Sequence, residues 1–119
     1  MGYETRFYIM QKVIIGTPHA LPIAQVDMCC LGQEFYFDKR SIFTEEIDFD
    51  LYDKNDEPTR EDCYGDVCHY APLMVFRDWV NKLIESGETY RRWRVLAGLL
   101  NAFDPNQWDD SLIVVDYGY

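Results

Sequence analysis

A chain of 119 residues, 48% hydrophobic and 16% aromatic, has enough apolar surface for one folded domain with a core, which excludes a disordered acidic tail. Its 21 acidic against 11 basic residues give a net charge of −10, which excludes direct binding to nucleic acid or to an anionic membrane, since both are negative. No apolar run of 18 residues occurs, and the start Met1-Gly2-Tyr3-Glu4-Thr5-Arg6 lacks the basic and apolar stretches of a secretion signal, so a cytoplasmic protein is expected.

Residues Tyr3 to Ile15 alternate, with Thr5, Phe7, Ile9 and Val13 on one side and Glu4, Arg6, Tyr8 and Lys12 on the other, as in a half-buried strand. Gly16 to Pro22 is expected to break it, because Pro18 and Pro22 remove ladder donors and restrict the residues before them. A second strand is expected from Ile23 to Leu31, with Ala24, Val26, Met28 and Cys30 inward and Gly32 ending the run. Phe35-Tyr36-Phe37 reads as a short strand or an aromatic loop.

The third strand, Phe43 to Tyr52, carries Phe43, Ile47, Phe49 and Leu51 on one parity and Glu46, Asp48 and Asp50 on the other. Glu45 shares the buried parity and is expected at the strand's start or at a bulge, where its carboxylate reaches solvent. Asp53 to Glu61 reads as a polar loop around Pro58.

Pro72 in a first turn, apolar residues at Leu73, Phe76, Trp79, Val80, Leu83 and Ile84, and Gly87 as a stop predict an amphipathic helix. A second helix starts near Thr89, with Trp93, Leu96, Ala97, Leu100 and Phe103 on its apolar face and Arg91, Arg92 and Arg94 near its beginning. Cations there oppose the helix dipole, so pairing with Glu88 or the acidic loop is expected. Asp104-Pro105 suggests a cap and a brief helical turn to Asp110, and Leu112 to Val115 closes the chain as a buried strand. The sum is an α+β fold over residues 1–119 as a single domain, with a mostly antiparallel sheet of four to five strands. Two amphipathic helices should pack on one face and leave the other partly exposed.

Ten carboxylates fall between Glu45 and Asp66, against only Lys54 and Arg60. On a strand, Glu46, Asp48 and Asp50 recur about every 6.8 Å, half the linear charge density of one B-DNA strand at about 3.4 Å. One strand is too sparse to imitate a duplex, but acids from neighbouring strands and from the following loop would thicken the field. The alternative is a solvated sheet face with an acidic loop. Oxygen ligands at Asp48, Asp50, Asp53, Asn55 and Glu57 suggest a metal, yet the calcium-loop pattern fails, with Pro58 where glycine is needed and Tyr64 where glutamate belongs. Cys63, Cys68 and His69 lack the paired Cys-x2-Cys spacing of a zinc site, and buried thiols are the plainer reading for them and for Cys29 and Cys30. No G-x-S-x-G, H-E-x-x-H or glycine-rich phosphate loop occurs; Cys68 with His19 is a conceivable nucleophile and base, but a buried core thiol is the plainer reading of that cysteine.

Gly2-Tyr3-Glu4-Thr5, Asp62-Cys63-Tyr64-Gly65-Asp66, Tyr90-Arg91-Arg92 with Gly98-Leu99-Leu100, and Val115-Asp116-Tyr117-Gly118-Tyr119 together resemble a group of small acidic bacteriophage-encoded proteins. The resemblance implies an accessory protein that antagonises host defence, of the anti-CRISPR or anti-restriction type. It supplies no catalytic residues, and it departs from known acidic mimics in that both helices here have mixed charge. The expectation is a non-enzymatic inhibitor whose Glu46, Asp48, Asp50, Asp53, Asp56, Glu57, Glu61 and Asp62 bind a basic host protein, a nucleic-acid-binding defence effector, with no cofactor. The alternatives are a metal-binding module or enzyme built on the Asp48 to Glu57 or the Cys63, Cys68 and His69 cluster, and a homo-oligomeric phage structural component.

Overall fold

The computed structural model describes residues 5–27, 40–52, 58–61, 65–87, 91–104, 106 and 109–118. Its elements are β1 (Thr5–Val13), β2 (His19–Asp27), β3 (Glu45–Glu46), β4 (Asp50–Tyr52), β5 (Pro58–Thr59), β6 (His69–Pro72), α1 (Leu73–Glu85), α2 (Arg91–Ala102) and β7 (Leu112–Gly118). The class is α+β. The seven strand segments form one sheet in the order β3-β6-β7-β1-β2-β4-β5, antiparallel throughout except for the parallel pair β2 and β4. Among the described residues, no helix is long and apolar enough to cross a membrane.

The long strand expected from Phe43 to Tyr52 is two strands with different partners. Glu45 and Glu46 in β3 pair with β6, while Asp50 and Leu51 pair with β2 as part of β4, which lies five strand positions from β3 in the sheet order. In a flat sheet those positions lie about 24 Å apart. Four residues of chain reach only about 14 Å, so the sheet has to curl until its ends meet. Two hydrogen bonds at Cys68 make that closure: its N–H donates to the Arg60 carbonyl and its carbonyl accepts from Ile47 N–H, both at 3.0 Å. An antiparallel bridge between Glu61 and Val67 extends it. The result is a small barrel-like ring, which removes most free strand edges.

Closure changes the second face of the sheet, expected to be partly exposed. One core, on the helix side, gathers Phe7, Phe43, Ala71, Val114 and the inner faces of both helices. A second fills the ring with Met10, Ala20, Ile47, Phe49, Leu51, Cys68, Ile113 and Val115, with Tyr8, Tyr70 and Tyr117 packed against it. The Tyr8 and Lys12 side of β1 therefore faces this second core, and Met10 between them is 3% exposed. A ring this narrow has room for side chains and little else.

The second strand starts at His19, four residues before the expected Ile23, and runs through Pro22. Pro22 is accommodated because the ladder is already interrupted there: Ile9 pairs with Ala24 and Met10 with Pro22, leaving Ile23 as an extra residue. The bulge reverses which side faces which core, so Ala20 enters the ring while Val26 packs on the helix side. Ala24, expected inward, is exposed, and Met28, Cys30 and the Phe35 to Phe37 stretch lie outside the described residues.

α1 follows its pattern closely. Pro72 precedes its first turn, Leu73, Phe76, Trp79, Val80 and Leu83 are buried, and Ser86 caps its end before Gly87 at φ +107°, a conformation that favours glycine. α2 buries Trp93, Leu96, Ala97 and Leu100, whereas Phe103, expected in the core, lies past the helix end and is 43% exposed. The two helices are tied by reciprocal amide hydrogen bonds between Asn81 and Asn101, 3.0 and 2.7 Å. Asp104 accepts the Asn106 N–H at 3.0 Å, the local cap its sequence suggests, while Pro105, Gln107 and Trp108 lie outside the described residues.

Burial pushes the Tyr8 and Tyr70 phenols above their ordinary range, and at Tyr70 the hydrogen bond and charge of Glu45 add to it. The folded state then keeps protons that the unfolded chain releases near pH 10, so this stability is complete below about pH 10 and declines as pH rises beyond it. Melting temperatures followed by near-ultraviolet circular dichroism are expected to be flat from about pH 8 to 9.5 and to fall above 10. Tyr70→Phe should flatten that fall; an unchanged slope would mean that Tyr70 ionises alike in both states.

Candidate functional site

The alternation from Glu45 to Leu51 survives the change of strand partner. Ile47, Phe49 and Leu51 are buried in the ring, so Glu46, Asp48 and Asp50 must point outward. Glu46 and Asp48 are exposed and Asp50 is half-buried. Glu45, at the start of β3 opposite Tyr70, is exposed as its position suggests. Glu61 joins the group through its bridge to Val67, with exposed Asp66 next to it. Closing the ring thus brings Glu46, Asp48, Asp50, Glu61 and Asp66 to one seam, while Glu45 lies on the other side of β3, beside Tyr70. Asp53, Asp56, Glu57 and Asp62, the remaining acids expected to bind a partner, lie outside the described residues.

Among the described residues, Arg60 and Lys12 enter this seam, a placement that acid counting alone does not give. Arg60 Nε lies 3.1 Å from Asp50 Oδ1, and Lys12 Nζ lies 3.8 Å from Asp48 Oδ1. Lys12 comes from β1, its ammonium 4.7 Å from the centre of the Phe49 ring and 5.7 Å from that of Tyr70. Its side chain is only 24% exposed, against 82% for Asp48, so the carboxylate projects beyond the cation that partly offsets it. Exposed pairs of this kind contribute about 0–1 kcal/mol to stability. Their larger effect is on the field, which is weakened around the half-buried Asp50 more than around the exposed Asp48.

The chemistry considered for other residues is separated by the fold. Cys68 is 2% exposed and faces the ring, while His69, next on the strand, turns to the opposite side. His19 neighbours Ala20, which enters the ring, so His19 faces outward; its Nδ1 hydrogen-bonds the Thr17 carbonyl at 2.8 Å and its ring meets Tyr52 edge-on at 5.7 Å. Cys68 and His19 are therefore on opposite sides of the ring wall and do not form a nucleophile and base. Among the described residues, no three His, Cys, Asp or Glu side chains converge as metal ligands. Cys63, Asp53, Asn55 and Glu57 lie outside that set. Arg91, Arg92 and Arg94 are exposed, and Glu88, expected beside them, is also outside it.

The chain matches no protein-family model, and comparison with curated proteins and with solved structures found no similar protein or fold.

Proposed function

We propose that the protein is a non-enzymatic inhibitor that occupies the nucleic-acid site of a basic host protein with the acidic seam along β3, the β3 to β4 link and the Arg60–Glu61 stretch after β5. The observation that carries this reading is the outward pair Glu46 and Asp48, exposed on a short segment whose alternate residues Ile47 and Phe49 are buried in the ring. Such a surface attracts a lysine- and arginine-lined groove at long range and is pre-organised, so little ordering entropy is lost on binding. The net charge of −10 and the resemblance to phage accessory proteins support a defence effector as the target. Asp50, already engaged by Arg60, contributes less than Asp48.

The test compares the wild type with a Glu46→Lys, Asp48→Lys variant as bait in a bacterial lysate. A basic nucleic-acid-binding protein should be retained by the wild type at about 0.15 M salt, competed off by duplex DNA or RNA, and released near 0.5 M salt, where the screening length is only a few ångströms. The double reversal should weaken retention at least tenfold, roughly 1.4 kcal/mol. Retention that survives both high salt and the reversal would exclude electrostatic occlusion.

A further inference from the structure

We propose that the chain pairs with a second copy of itself through the outer face of α2, as an antiparallel helix pair whose two-fold axis passes close to Gly98 and Leu99. α2 has two apolar stripes. Trp93, Leu96, Ala97 and Leu100 pack inward, while Val95 and Leu99, and Phe103 just past the helix end, each four residues apart, are 62%, 68% and 43% exposed. Beside that outer stripe Gly98 is exposed, and a Cβ built on it meets nothing within 4 Å. A leucine next to an open glycine is self-complementary: in an antiparallel pair, Leu99 of each copy seats over Gly98 of the other, and Val95 faces Ala102.

Charge selects this occupant. The helix Arg91–Ala102 contains three arginines and no acid, within a chain of net charge −10, and Asp104 follows two residues after its end. Within one copy the arginines oppose their own helix dipole. Across an antiparallel pair they reach the C-terminal end of the partner helix, where cations are favoured. At 1.5 Å of rise per residue, Arg91 lies about 11 Å from the axis and the helix end at Ala102 about 5 Å, with Asp104 two residues beyond it, so the two meet across the interface within an arginine's reach. The helix contributes none of the acids of the seam, so the pairing is independent of the function proposed above.

A stripe of three side chains covers a few hundred Å2, well below the roughly 800 Å2 per partner of a standard interface, so a dimer with a dissociation constant of about 10–100 μM is expected. Sedimentation velocity of the reduced protein from about 1 to 300 μM should show the mass passing from monomer to dimer. Leu99→Asp should remain monomeric across that range with an unchanged thermal melt, since Leu99 is largely exposed. Arg91→Glu and Asp104→Arg should each weaken pairing about tenfold, and the two together should restore it. A wild type that stays monomeric at about 300 μM, or a dimer that survives Leu99→Asp, overturns the proposal, and failure of the charge swap to restore pairing overturns the antiparallel geometry.

Discussion

Phe7→Ala is expected to destabilise the protein by about 3–5 kcal/mol, a large share of the 5–15 kcal/mol typical of a folded domain. Phe7 is fully buried where β1 meets α1 and the chain entering β3. Its ring stacks on Phe43 at 5.6 Å, tilts against Phe76 at 4.9 Å and meets Trp79 edge-on at 6.5 Å. Removing it empties the contact between three elements at once, and none can close the gap without shifting its neighbours. Urea unfolding followed by near-ultraviolet circular dichroism measures the loss. Phe103→Ala is the control; with that ring 43% exposed, a cost under about 1 kcal/mol is expected. A cost below about 1.5 kcal/mol for Phe7→Ala would mean that the aromatic cluster repacks around the gap.

Phe49→Ala is expected to cost a similar 3–5 kcal/mol, with a different distribution. Phe49 is fully buried inside the ring, edge-on to Tyr70 at 5.3 Å, and its ring supports the Lys12 ammonium that lies beside Asp48. Loss of the ring should loosen the link between β3 and β4 first. Hydrogen exchange at the amides of Ile47, Asp50 and Cys68 should accelerate more than exchange in α1, which rests on the other core. Uniform acceleration across both cores would argue that they unfold as one unit. Asp48→Lys, by contrast, should change stability by no more than about 0.5 kcal/mol, because the side chain is largely exposed. Stability and the proposed partner binding are thus assigned to adjacent residues of the same short segment, and the two substitutions separate them.

Both helices were legible because periodicity and end signals agree there: Pro72 and Gly87 bracket α1, and the Trp93 to Leu100 spacing marks α2. The in and out pattern from Phe43 to Leu51 was equally legible. Its change of partner from β6 to β2 was not, since alternation records which side of the chain is buried and is blind to the strand across the ladder. The same blindness hid the second core, whose Tyr8, Met10 and Lys12 side of β1 reads as half-polar. Pro22 read as a break because a proline in a strand is ordinarily one, and only the register shift beside it shows why the strand continues. In the candidate site, outward acids follow from local pattern. Their cations do not: Lys12 is 36 positions from Asp48, and Arg60 reaches Asp50 only because β4 and β5 form a hairpin.

The order in which the polypeptide is synthesised gives the position of β7 a further consequence. β7 is made after the other six strands, yet it lies between β6 and β1. Until residues 112–118 leave the ribosome, the first strand lacks one of its two neighbours and the ring has no way to shut. Closure is thus delayed until β7 is made, and the acid-rich stretch from Glu45 to Asp66 waits in an unfinished state, its like charges discouraging premature association.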